Sequence, residues 1–216
     1  MQGFGFPFRA GCSLKTFDAK IHPPYHFSGK SSLILAILRI LDLESGRITI
    51  DGIDITNIPR NVLRARIVTI PQEPVELPGT VRYNLEPTRD SVATSPTDDE
   101  LTSVLACVGL WDVVLARGGL DAELDMLGLS SGQKQWFSLA RAVLAVRRSG
   151  KGTEGGVVLV DEATSNVDGQ TDKKMQAIMK KEFSSNTVIV VAHRLETLDD
   201  ANVVVVLEGG RVLEVK

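Results

Sequence analysis

The sequence predicts an α/β fold of three layers around a mixed sheet, on three observations. Val157-Val158-Leu159-Val160 and Thr187-Val188-Ile189-Val190-Val191-Ala192 are short runs of mostly branched apolar residues, the pattern of strands covered on both faces. Segments of helical periodicity alternate with such runs, which is how parallel sheets are assembled. Arg47 to Ile55 and Val203 to Val215 instead turn back on an Asp-Gly and a Gly-Gly pair, so two antiparallel hairpins accompany the parallel strands.

A chain of 216 residues, 43% of them hydrophobic, can bury a sizeable core as one domain. Its formal charge of -3 supplies no basic field, which argues against a nucleic-acid partner. Cys12 and Cys107 are too few for a disulfide framework or a cysteine metal site, and a reducing compartment is expected. The apolar stretch Leu33 to Leu41 is interrupted by Arg39 and is too short to span a bilayer. Met1 to Phe8 lack the charged start and continuous apolar run of a secretory signal.

Residues 1–27 carry scattered Phe, Gly and Pro with no sustained period, and are expected to be disordered or foreign to the domain that follows. At Ser28 the texture changes. Ser28-Gly29-Lys30-Ser31-Ser32 leads into Leu33 to Leu38, apolar on every side and therefore a buried helix. Gly29, Lys30 and Ser31 match the second half of the phosphate loop G-x-x-x-x-G-K-[ST]. There, backbone N–H groups wrap phosphates, the Lys reaches the β and γ groups, and the hydroxyl serves Mg²⁺. Taken alone, Gly29-Lys30-Ser31-Ser32 serves equally well as a helix cap followed by a buried helix. Pro24 stands where the loop needs its first Gly, and no apolar strand precedes it.

Asp51-Gly52 turns the first hairpin, and Pro59 to Arg66 feeds a buried strand, Ile67-Val68-Thr69-Ile70. That strand ends at Pro71-Gln72-Glu73-Pro74, a Pro-bounded loop. Thr97-Asp98-Asp99-Glu100 is a capping box, with Leu101, Val104, Leu105 and Val108 forming a stripe behind it. Ser130 or Ser131 caps a long helix whose Trp136, Leu139, Ala140 and Val143 share a face, with Arg147 and Arg148 in its last turn. Val157 to Val160 then ends in Asp161-Glu162, at the strand end where α/β sheets place their ligands. Met175, Ile178, Met179 and Phe183 mark a further helix, and the last buried strand delivers His193 to the same edge.

Leu129-Ser130-Ser131-Gly132-Gln133 followed by Asp161-Glu162 resembles the signature sequence and Walker B strand of the ATP-binding cassette (ABC) family. Gln72, Asp168 and His193 stand at that family's Q-loop, D-loop and switch positions, in order, and the resemblance covers residues 28 to 216. Val75 to Pro87 is most similar to the second nucleotide-binding domain of the C-type, multidrug-resistance-associated exporters. The resemblance implies a P-loop NTPase fold with a helical sub-domain at about 73–150, and ATP and Mg²⁺ as ligands. By the same token Ser28, Gly29, Lys30, Ser31, Ser32 and Gln72 bind nucleotide, while Ser31, Gln72 and Asp161 serve the metal. Glu162 orients the attacking water and His193 contacts the γ-phosphate. Ser130, Ser131 and Gly132, with Leu129 and Gln133, cap ATP held by a second cassette.

The resemblance also implies transmembrane domains as partners and the cytoplasmic face of a membrane as location. Phe27 stands where the family usually has Gly, a second departure in the phosphate loop. Phe4, Phe6 and Phe8 are the nearest upstream aromatics, and none is assigned to adenine stacking. A transporter motor and a regulatory cassette with a broken phosphate loop both fit these residues. A chromosome-maintenance ATPase does not, because no sustained heptads occur.

Overall fold

The computed structural model describes residues 3–6, 14–20, 30–87, 95–149, 155–161, 169–192, 201–208 and 211–215. The chain divides into two compact units. One comprises Met1–Thr69, Gly152–Glu162 and Ser185–Lys216, the other Ile70–Lys151 and Ala163–Ser184.

The first unit holds two sheets. Its strands and helices are β1 (Gly3–Phe6), β2 (Leu14–Lys20), α1 (Lys30–Ile37), β3 (Ser45–Ile50), β4 (Ile53–Asp54), α2 (Arg60–Ala65) and β5 (Ile67–Ile70), whose last residue begins the second unit. They continue with β6 (Val157–Asp161), β7 (Thr187–Val191), β8 (Val203–Glu208) and β9 (Arg211–Val215). Six strands form a mixed sheet in the order β5-β6-β7-β1-β8-β9, and β2-β3-β4 form an antiparallel sheet of three. β6 and β7 run parallel with Val157 opposite Thr187 and Asp161 opposite Val191. Val157 to Val160 are all buried, as a strand covered on both faces requires. α1 packs against β6, and Leu33, Ile34, Ala36 and Ile37 share one core with Val157, Leu159, Ile189 and Val191.

The predicted hairpin forms where Asp51 (φ 53°) and Gly52 (φ 78°) both take the left-handed conformation of a type I′ turn. β8 and β9 pair antiparallel as expected, with a bulge between Val206 and Leu207. No element is expected before Ser28, yet β1 lies between β7 and β8 and is antiparallel to both. β2 likewise pairs with β3. Gly3-Phe4-Gly5-Phe6 is too short for its alternation to register as a period, and glycine is a poor strand former. Its place comes from backbone pairing with strands about two hundred positions away, which no local pattern encodes.

The second unit is helical: α3 (Val81–Leu85), α4 (Asp98–Cys107), α5 (Trp111–Leu115), α6 (Ser131–Ser149) and α7 (Gly169–Glu182). The capping box is present in full, with Glu100 N–H donating to Thr97 Oγ1 and Thr97 N–H to Glu100 Oε2. Leu101, Val104 and Leu105 are completely buried, and Val108 is buried beside them. α6 touches α3, α4 and α7. It is therefore enclosed more widely than a single stripe: Phe137, Ala142, Leu144 and Val146 are buried along with Leu139, Ala140 and Val143, while Trp136 is half-buried.

Candidate functional site

In the first unit three of the expected nucleotide-binding residues, Lys30, Ser31 and Ser32, sit at the start of α1. Lys30 is its first residue, and Ser31 and the half-buried Ser32 follow in its opening turn. α1 packs on β6, and Asp161 closes that strand at its carboxyl end. Because β6 and β7 are parallel and in register, this is also the edge from which the chain leaves Val191 towards His193. The fold thus places a Lys-Ser helix start and a strand-end carboxylate on adjoining elements of one unit. Ser28, Gly29, Glu162, Asp168 and His193 lie outside the described residues.

In the second unit the sequence left Ser130 and Ser131 as rival caps of α6, and Ser130 takes the role. Gln133 N–H donates to Ser130 Oγ at 3.3 Å, and Ser130 N–H donates to Gln133 Oε1 at 2.9 Å, a reciprocal cap. Leu129 is buried and anchors the turn from behind, leaving Ser131 exposed and Gly132 half-buried. A Cβ built on Gly132 meets nothing within 4 Å, so packing within the chain does not demand glycine there.

Gln72 lies in the loop that follows β5, and its backbone carbonyl accepts a hydrogen bond from Gln135 Nε2 at 2.5 Å. Further along the loop, Glu76 receives Lys134 Nζ at 2.7 Å, and the Val75 carbonyl accepts from both Arg141 Nη1 and Nη2. Arg141 Nε also donates to the Asn84 carbonyl at 2.7 Å. Burial lowers the Arg141 pKa below its ordinary value, with Glu76 opposing the shift. Asn84 is fully buried and closes the loop from the other side. Its Oδ1 accepts from Leu77 N–H, and its Nδ2 donates to the carbonyls of Leu77, Gly79 and Thr80.

The sequence marks Gln72 but not Asn84, Lys134, Gln135 or Arg141, the residues that hold the loop in place. Gln135 alone left a signal. It lies one turn before Leu139 on the face that becomes buried, where a polar side chain is costly unless it is used.

Among the described residues no group of three or more His, Cys, Asp or Glu could hold a metal ion by itself. The donors available are hydroxyl, carboxylate and amide oxygens. Such hard donors suit Mg²⁺, a cation bound through one or two protein ligands plus substrate phosphates.

Comparison with known proteins converges on one family. Residues 28–165 match the ABC transporter family. The chain is 43% identical over 187 residues to ABC multidrug transporter B of Aspergillus fumigatus, covering 87% of this chain and 12% of that protein. It is 44% identical over 187 residues to ABC transporter gloK of Glarea lozoyensis, with 87% and 13% covered. To the ABC-type transporter FG02316 of Gibberella zeae it is 40% identical over 190 residues, with 87% and 12% covered. The chain therefore spans about an eighth of the length of these relatives. With its P-loop NTPase fold of mixed sheet and helices, the chain belongs to the ATP-binding cassette transporter family, as a nucleotide-binding domain.

Proposed function

We propose that the chain binds MgATP and hydrolyses its β-γ phosphoanhydride as the motor domain of an ABC exporter. One observation carries this reading: the helix begun by Lys30 and Ser31 packs on the strand that ends in Asp161. Lys30 would neutralise phosphate charge, and Ser28, Gly29 and Ser32 would contribute to binding the same phosphates. Ser31 and Asp161 would hold Mg²⁺, which when bound neutralises charge on the β- and γ-phosphates. The role proposed for Gln72, a further oxygen donor to the metal, rests on its place in the sequence. Glu162 would accept a hydrogen bond from the attacking water and orient it, and His193 would steady the γ-phosphate.

Catalysis is proposed to need two cassettes. Ser131, Gly132 and the amides at the start of α6 would meet ATP held by a partner, with Asp168 at the same junction. The free space around Gly132 supports this, since its glycine then answers to something outside the chain. We assign the remaining partners as transmembrane domains, with the chain at the cytoplasmic face of their membrane, and residues at about 73–150 as the family's helical sub-domain. The relatives' names as multidrug and other ABC transporters support export, and the words from Val75 to Pro87 favour the second cassette of a C-type exporter.

A second reading, a regulatory cassette that turns over little ATP, is favoured by Pro24 and Phe27. Proline has no N–H to donate, and a bulky residue resists the positive φ that glycine adopts freely. If two phosphate hydrogen bonds are lost at about 1.5 to 3 kcal/mol each, affinity falls by roughly two to four powers of ten. Isothermal titration with MgATP decides. If the regulatory reading holds, the chain as written lacks saturable micromolar binding and a Pro24→Gly/Phe27→Gly chain gains it; if the motor reading holds, the chain as written already binds. On either reading Lys30→Ala in the glycine-restored chain abolishes binding. Failure of the glycine-restored chain to bind would remove the nucleotide site from this reading. Micromolar binding by the unaltered chain would remove the regulatory alternative.

A further inference from the structure

Gln135 belongs to no motif, is 2% exposed, and occupies the second turn of α6. Its orientation is determined, because Nε2 lies 2.5 Å from the Gln72 carbonyl and an oxygen in that place would oppose another oxygen. Its Oε1 is buried with no hydrogen-bond partner among the described residues. An apolar side chain of similar length would spare the helix that orphaned acceptor. The residue is therefore poorly suited to packing and well suited to a single task, donating to Gln72.

The ties on either side run the same way. Lys134 reaches Glu76 and Arg141 reaches Val75, so the loop from Gln72 to Glu76 is tied to α6 at three residues, through main-chain carbonyls at Gln72 and Val75 and through the side chain at Glu76. Lys134 and Glu76 are 36% and 29% exposed, where water competes for the pair. The Gln135 bond is the buried member and the one next to Gln72. The helix it belongs to begins at the Ser130–Gly132 turn, five residues earlier at most.

We propose that Gln135 is a positioning residue. It latches the Gln72 backbone to the signature helix, so that the Gln72 side chain and the Ser130–Gly132 turn move as one body. The proposal rests on the function assigned above for its consequence in turnover, but the latch itself is testable without nucleotide.

The test is Gln135→Met, which keeps an unbranched side chain of similar length and removes the donor. In the full chain, amide hydrogen exchange at residues 72–77 should rise about tenfold, the scale of one buried hydrogen bond. Exchange along Leu101 to Leu105 of α4 should stay unchanged. In the Pro24→Gly/Phe27→Gly chain supplied with a second cassette, kcat should fall about tenfold while KM for MgATP holds, because the latch places Gln72 without binding the nucleotide. Unchanged exchange in the loop would overturn the latch. So would a uniform rise through α4 and α6, which would mean that Gln135 merely supports the fold, or an unchanged kcat beside a loosened loop. A restored chain with no turnover at all counts against the function assigned above, and the exchange result then decides the latch by itself.

Discussion

Arg147 grips Glu182 through two parallel hydrogen bonds, Nε to Oε2 at 2.8 Å and Nη2 to Oε1 at 2.9 Å, while its Nη1 donates to Ser103 Oγ. The hydrogen bonds and charge of Arg147 hold the Glu182 carboxyl below its ordinary pKa, against the opposing effect of burial. A depressed carboxylate stabilises the fold above its unfolded pKa, and that stability is lost as pH falls through the folded value. The urea midpoint of the chain should therefore exceed that of Glu182→Gln at neutral pH, with the gap closing on the acid side of the ordinary glutamate value. Because Arg147 is still 37% exposed, the gap should stay near 1 kcal/mol or less. A gap that persisted undiminished into acid would remove the pair as its cause. Asn84 is a larger case. Replacing it with Leu removes the side-chain partner of the Leu77 N–H and carbonyl, leaves the Gly79 and Thr80 carbonyls with only their backbone donors, and should cost roughly 2–3 kcal/mol in denaturant unfolding. Residues such as Thr97 and Glu100 were legible in advance because their partners lie three positions away. Asn84 was not, since its bonds exist only after the loop from Leu77 to Thr80 has closed around it.

At the level of elements, local chemistry was the reliable guide. The Asp51-Gly52 turn, the Thr97 box and the Ser130 cap each form from contiguous residues; the first two appear as the sequence foretells, and of the two serines it offers as caps of α6 the structure uses Ser130. Ser130→Ala should therefore cost about 1 kcal/mol of stability by loosening the first turn of α6. Thermal or urea unfolding measures it, and a neutral result would mean that the cap is not holding the helix start. The entry to β6 makes a sharper demand. Gly155 has a positive φ of 33°, and a Cβ there would collide with the Ser185 backbone carbonyl. Gly155→Ala should destabilise the first unit by roughly 1–3 kcal/mol, since a backbone atom has to yield. β1 and β2 mark the limit of such reading, because their pairing is non-local and their residues are poor strand formers by composition. Trp136 marks another: helical period named the right face of α6, but three neighbouring helices cover far more than one face.

For the whole molecule, β6 and β7 made the fold class legible, whereas the order of the six strands depended on which distant segment fills the place beside β7. The candidate site was legible as a set of motifs, but only the Lys30 helix, Asp161, Gln72 and the signature turn fall among the described residues. No described helix is long and apolar enough to cross a membrane. The remaining claim is that the chain is a hydrolytic half-site completed by a second cassette. Its most direct test is steady-state MgATP turnover of the Pro24→Gly/Phe27→Gly chain as a function of protein concentration, beside the same chain carrying Glu162→Gln. A cassette working in pairs predicts that turnover per chain rises with concentration and that Glu162→Gln loses most of it while still binding MgATP. Turnover per chain independent of concentration, or near-normal turnover in Glu162→Gln, would contradict it.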